Sequence, residues 1–205
     1  MDTTRRRRPT RLMALAAAGL AAVSLTAGAS SLALFTSTAT VPANTFSTGT
    51  VIISTNPTTA LVTLSAMAPG DAITAPITVS NDGTLDLRYA ITSTATNVDT
   101  KGLKDQLALT IKSGVTTCSN AAYAADGTVL YSADLDAAAT YLPTVAGKLV
   151  GDAATGADAG DRPLTATANE VLCFHVSLPL ATGNGFQAAS TTATFTFAAE
   201  QTRNN

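Results

Sequence analysis

Very few residues in this chain could do chemistry. The only histidine is His175, and the only cysteines are Cys118 and Cys173. Catalytic zinc takes about three protein ligands, commonly imidazole with a carboxylate, plus a water. One imidazole falls short of that set, and no H-E-x-x-H pair occurs. In the run Val171–Leu178, a period of two puts His175 on one face with Cys173, opposite Leu172, Phe174 and Val176. A lone strand histidine in that setting reads as a structural or surface residue. No G-x-S-x-G elbow presents a serine, and there is neither a P-loop nor a dinucleotide fingerprint. Asp152, Asp158 and Asp161 lie in a Gly-rich stretch, where carboxylates can hold calcium. Their spacing matches neither the EF-hand loop nor the nonapeptide repeat, so they read as a solvated loop. The expectation is therefore no catalytic residue, no metal site, no cofactor and no small-molecule substrate.

The cysteines matter through their compartment. Arg5, Arg6, Arg7, Arg8 and Arg11 precede an uncharged apolar run from Leu12 to Leu25, and small residues follow at Thr26–Ser31. This is the three-part secretory leader. Ala27-Gly28-Ala29 and Ser31-Leu32-Ala33 both offer small residues at cleavage spacing. The competing reading is a retained anchor, since Leu12–Phe35 is long enough for a bilayer core of about 30 Å. Its second half, with Gly19, Ser24, Thr26, Gly28, Ser30 and Ser31, is weakly apolar and favours the cleaved leader. An exported protein can keep Cys118 and Cys173 as a disulfide. Two buried free thiols are the alternative, and a bond requires the Cα atoms to come within about 7 Å.

Charge excludes another class of partner. Without Asp2 and the five leader arginines, seven basic residues face thirteen acidic ones, a net charge of −6. A nucleic-acid surface needs clustered Lys and Arg to displace counterions, so none is expected.

The mature chain reads as strands. Ile73, Ala75, Ile77 and Val79 alternate with Thr74, Pro76, Thr78 and Ser80, and Leu85, Leu87, Tyr89 and Ile91 alternate with Asp86, Arg88, Ala90 and Thr92. Leu107, Leu109 and Ile111 continue the pattern. Shorter runs lie at Val51–Ile53, Leu61–Leu64 and Val129–Tyr131, and longer ones at Val171–Leu178 and Thr192–Ala198. Such alternation marks one packed and one wet face, as in antiparallel sheets. Pro69-Gly70-Asp71 is a turn signal, and Asn81-Asp82-Gly83 predicts a hairpin. Pro76 removes a ladder donor, which predicts an edge or a bulge there. Thr100–Gln106 could form one helical turn. The sum is an all-β fold of about eight strands, a two-sheet antiparallel sandwich of jelly-roll type, behind a helical signal segment. Residues 132–169, rich in Ala, Gly and Asp, read as a long excursion with short irregular elements.

An ordered set of segments resembles the TasA/camelysin family of exported bacterial proteins. It comprises Leu32-Ala33-Leu34-Phe35, Asn44–Val51, Met67–Asp71, Val79–Leu85, Gly183–Gln187 and Phe195–Gln201. The resemblance implies a jelly roll that self-associates into matrix fibres, with other matrix proteins as further partners. It also implies a leader processed by a SipW-type signal peptidase, and favours cleavage between Ala33 and Leu34. Assembly in this family proceeds by donation of an N-terminal strand, which here would lie within residues 34–47 and carry Phe35, Val41 and Phe46. Some camelysin relatives are described as metallopeptidases. The domain plan that follows is signal peptide 1–33, donor segment 34–47, sandwich 48–201 and tail 202–205. The expected role is an extracellular structural protein of the cell surface or biofilm matrix. A monomeric surface-binding or adhesion module is the alternative, and a camelysin-like metallopeptidase a remoter one.

Overall fold

Alternating apolar residues can satisfy their backbone and bury one face only by pairing into sheets that stack. The computed structural model describes residues 45–61, 66–134 and 147–204. Nine strands run through them: β1 (Ile53–Asn56), β2 (Ala72–Asn81), β3 (Leu87–Ala95), β4 (Ala108–Ser113), β5 (Thr128–Asp134), β6 (Gly147–Val150), β7 (Arg162–Leu164), β8 (Asn169–Ser177) and β9 (Ala193–Gln201). One sheet has the order β1-β2-β8-β4-β5; in the other, β3 pairs with β6 and β7, and also with β9. Every pairing is antiparallel. All nine strands belong to the unit spanning Ser47–Asn205.

The core is the alternation made physical. Ile77, Val79, Leu109, Ile111, Leu172, Phe174 and Val176 point in from the five-stranded sheet; Leu87, Tyr89, Ile91 and Leu164 meet them from the other. Each such side chain, fully buried, contributes about 1.5–3 kcal/mol. Tyr89 also ties the sheets through polar groups. Its hydroxyl donates to Glu170 on β8, and Arg162 on β7 holds the same carboxylate at 2.7 Å. Burial first, then the Glu170 carboxylate, push the Tyr89 phenol far up.

Turn chemistry works as expected at one site and differently at another. Gly70 takes φ +98°, Asp71 accepts from the Ala68 amide at 2.7 Å, and the Gly70 amide reaches the Leu178 carbonyl at 2.8 Å. The segment after Asn81 is not a hairpin: β2 and β3 lie in different sheets. Asn81 is buried and steers this crossing. Its Nδ2 donates to the Leu85 and Leu164 carbonyls at 2.9 and 3.1 Å, while its Oδ1 accepts from the Gly83 amide at 3.0 Å. Gly83 allows the crossing to run close to the chain, since a Cβ there would sit 2.4 Å from the Thr50 carbonyl oxygen.

Pro76 is tolerated for a local reason. β2 is an interior strand, but β1 pairs only Thr78–Asn81. On the β1 side, Pro76 lies beyond the end of that ladder, an edge position within an interior strand. Of the expected excursion 132–169, the described parts contain β6, β7 and the start of β8 as regular strands, and 135–146 lies outside the described residues. The predicted helical turn is a 3-10 turn at Leu103–Asp105. The leader, the cleavage positions Ala29, Ala33 and Leu34, and most of the Leu61–Leu64 run also lie outside the described residues. Among the described residues no helix is long and apolar enough to cross a membrane.

Candidate functional site: an open sheet margin

β9 runs nine residues along β3, from Ala193 opposite Ala95 to Gln201 opposite Leu87, with no register shift. Just beyond its ends, the Thr96 amide donates to the Thr192 carbonyl and the Thr202 amide to the Asp86 carbonyl. In an antiparallel ladder, bonded and non-bonded pairs alternate. Even-numbered residues of β9 therefore bond to β3. The amides and carbonyls of Ala193, Phe195, Phe197, Ala199 and Gln201 point away from it, and among the described residues no strand takes them up. The same odd-numbered residues turn their side chains toward the core. Phe195 meets Phe174 edge-on at 5.1 Å between centroids, and Phe197 lies 6.2 Å from Tyr89. Both phenylalanines are only half-buried. β9 thus offers backbone donors and acceptors together with incompletely covered aromatic rings.

The other sheet offers a similar edge beside it. The Asp82 amide donates to the Ile52 carbonyl, so even residues of β1 bond to β2, while the backbone amides and carbonyls of Ile53 and Thr55 point away from it. Of the candidate donor residues, Phe46 is described and stands 92% exposed; Phe35 and Val41 lie outside the described residues.

The other sequence candidates sit elsewhere. Cys118 and Cys173 form a disulfide, with Cα atoms 5.5 Å apart. That bond anchors residues 114–127, between β4 and β5, to the outer face of the five-stranded sheet. His175 sits beside it, buried, its Nδ1 2.7 Å from the Thr74 hydroxyl and its ring stacked on Tyr123 at 3.6 Å. Burial lowers its pKa below the usual imidazole value.

Zinc finds no fitting ligand set around this ring. The Tyr123 ring covers one face, the hydroxyl takes one nitrogen, and the nearby cation is Lys112, whose Nζ lies 5.7 Å from the Tyr123 centroid. The chain has no second imidazole, and both sulfurs are consumed in the disulfide. Among the described residues no three His, Cys, Asp or Glu side chains gather as a metal site.

The acidic loop is bound down rather than freely solvated. Asp161 accepts from the Asp152 and Asp158 amides, both at 2.9 Å. Asp152 accepts from the Ala154 amide and pairs with Lys148, which holds its carboxyl below the usual range. The Gly156 amide donates to both Glu200 oxygens, at 3.0 and 3.2 Å. Arg88 joins the loop to β9, 2.5 Å from Glu200 and 3.8 Å from Asp161. The spacing of these carboxylates shows no reason for their being held, because the guanidinium facing Asp161 comes from Arg88 on a distant strand.

The edge character of β9 is likewise not legible in the sequence. T-F-T-F-A identifies a strand with an apolar face, but nothing local says which neighbour it lacks.

Comparison with known families agrees with this architecture. No curated protein matches the chain. A family model described as camelysin metallo-endopeptidase matches residues 10–205, nearly the whole sequence. With the two-sheet sandwich and the ordered segments already noted, that match places the chain in the camelysin metallo-endopeptidase family, which includes TasA.

Proposed function

We propose that the protein is an extracellular structural subunit of cell-surface or biofilm-matrix fibres, assembled by donation of the 34–47 segment of one copy to the β9 margin of the next. The observation that carries this reading is the edge of β9 that no strand among the described residues pairs, with Phe195 and Phe197 half-open behind it. Long apolar edges are pairing hazards, and proteins that stay monomeric blunt them with Lys, Pro or bulges. β9 has none of these devices. The offered segment suits it: Leu34–Thr45 carries no charge and is rich in Thr and Ser. A contact between different surfaces of successive copies does not close, so it propagates a filament.

The family name raises peptidase chemistry. Its zinc would need ligands that this sequence lacks, so the reading assigns the chain a structural rather than a catalytic role. Secretion and leader removal are parts of the same reading.

The test uses one proline substitution and one deletion. Ala199 aims its amide at the open margin, so Ala199→Pro should leave a folded monomer that no longer forms filaments by electron microscopy. Deleting Leu34–Thr45 should do the same. Filaments from either variant would sink the proposal, and a wild-type chain that stays monomeric at high concentration in size-exclusion chromatography would favour the adhesion module.

A further inference from the structure

The outer face of the five-stranded sheet is partly covered by the 114–127 segment, and the cover is fastened at one spot. Thr74, His175 and Thr110 form one cross-strand row on β2, β8 and β4; Pro76, Cys173 and Lys112 form the next. Cys118 bonds Cys173, and five residues later Tyr123 lies flat on His175, with interplanar angle 12°. Lys112 Nζ donates to the Tyr123 and Asp126 carbonyls at 2.9 and 3.1 Å, and Asn120 Nδ2 donates to the Ala72 carbonyl at 2.7 Å. The covalent bond and the stack therefore engage adjacent residues of one face of β8.

This places a titratable ring under a reducible bond. We propose that residues 114–127 form an acid- and reduction-sensitive flap, released from the sheet either by protonation of His175 or by cleavage of the Cys118–Cys173 bond. The charged groups on the elements packed against His175 decide the sign. β2 contributes only Thr74. β4 contributes Thr110 and the Lys112 ammonium, whose two partners are neutral carbonyls. The flap contributes Tyr123 and Asp126, and the Asp126 carboxylate is occupied by the Thr116 amide at 3.1 and 3.3 Å. A proton on His175 would add a second positive charge beside Lys112 in a buried site, and burial disfavours the charged ring. Relief comes from lifting Tyr123 and admitting water. By linkage, whatever opens the flap must also make His175 easier to protonate.

The experiment is a proton NMR titration of the full mature chain, in which the single histidine gives one assignable ring signal. The expected midpoint for the oxidised protein lies below the ordinary value of about 6.5, and the Tyr123 ring signals move with the same midpoint. Reduction should shift the midpoint upward toward the ordinary value. Tyr123→Leu, which keeps the disulfide, should do so as well, and serves as the decisive form if the reduced chain loses its β circular dichroism. An unchanged midpoint in Tyr123→Leu, or Tyr123 signals that ignore the histidine titration, would overturn the flap.

Discussion

Two long connections fold over the outer faces of this sandwich, and they are held by opposite chemistries. Residues 114–127 cover the five-stranded sheet through a disulfide and an aromatic stack. Residues 151–161 cover the smaller sheet through a buried ionic cluster, with Arg88 and Asp161 side chains each 8% exposed. The first fastening is covalent and apolar, so it fails by reduction or by charging the ring. The second is a set of carboxylates that accept from backbone amides and face one guanidinium, so it fails when a charge is removed. Both connections are rich in Ala and Gly and bury little apolar surface of their own. A segment of that composition stays ordered only where specific bonds offset its conformational entropy.

The largest effect that would sharpen this contrast is loss of the disulfide. Serine at both Cys118 and Cys173 should cost about 4 kcal/mol in urea unfolding, the chain-entropy value for a closed loop of this length. A loss under about 1 kcal/mol would mean that the stack and Lys112 hold the flap without the bond. Next comes Arg88→Met, which removes the guanidinium that Glu200 and Asp161 face beneath the loop. We expect about 3 kcal/mol, the low end for breaking a buried pair, because Glu200 is partly solvated. If Arg88→Met were neutral, the ionic description of this clamp would be wrong.

Acid should separate the two regions further. The His175 pKa is lowered in the fold, so the unfolded chain binds the proton more readily. Its contribution is intact above the ordinary value of about 6.5, declines as pH falls below it, and levels off below the folded-state value. The Asp152 pKa is lowered by Lys148, so its contribution is present above the ordinary carboxylate value of 3.8 and is lost as pH falls through the folded value. The flap should therefore loosen in mild acid while the acidic loop holds. Hydrogen exchange of the two segments at pH 7, 5 and 3 would show whether that order is reversed. The smallest effect should be Lys148→Ala: its side chain is 52% exposed, and the urea midpoint should stay within experimental scatter.

The sequence displayed much of the architecture and little of these fastenings. Ile77, Val79, Leu87, Tyr89, Leu109, Ile111, Leu172 and Phe174 were readable as inward positions, because side-chain alternation is a property of each strand by itself. The turn at Gly70 was readable for the same local reason. The partner of His175 was not, since Tyr123 lies 52 positions earlier in a stretch with no periodicity. The crossing after Asn81 was not legible either, because Asn-Asp-Gly favours a tight turn but does not say which sheet receives the next strand.

The sequence alone thus determined an antiparallel all-β chain, a ligand inventory too small for a conventional zinc site, and a family. Tertiary structure decided which strands end up at a margin, which pair of sulfurs and rings meet, and which charges are buried together. The physical reason is range. Alternation and turn preference are set by neighbours a few residues apart, whereas the margin of β9 and the stack on His175 exist only once distant strands have paired and closed the core.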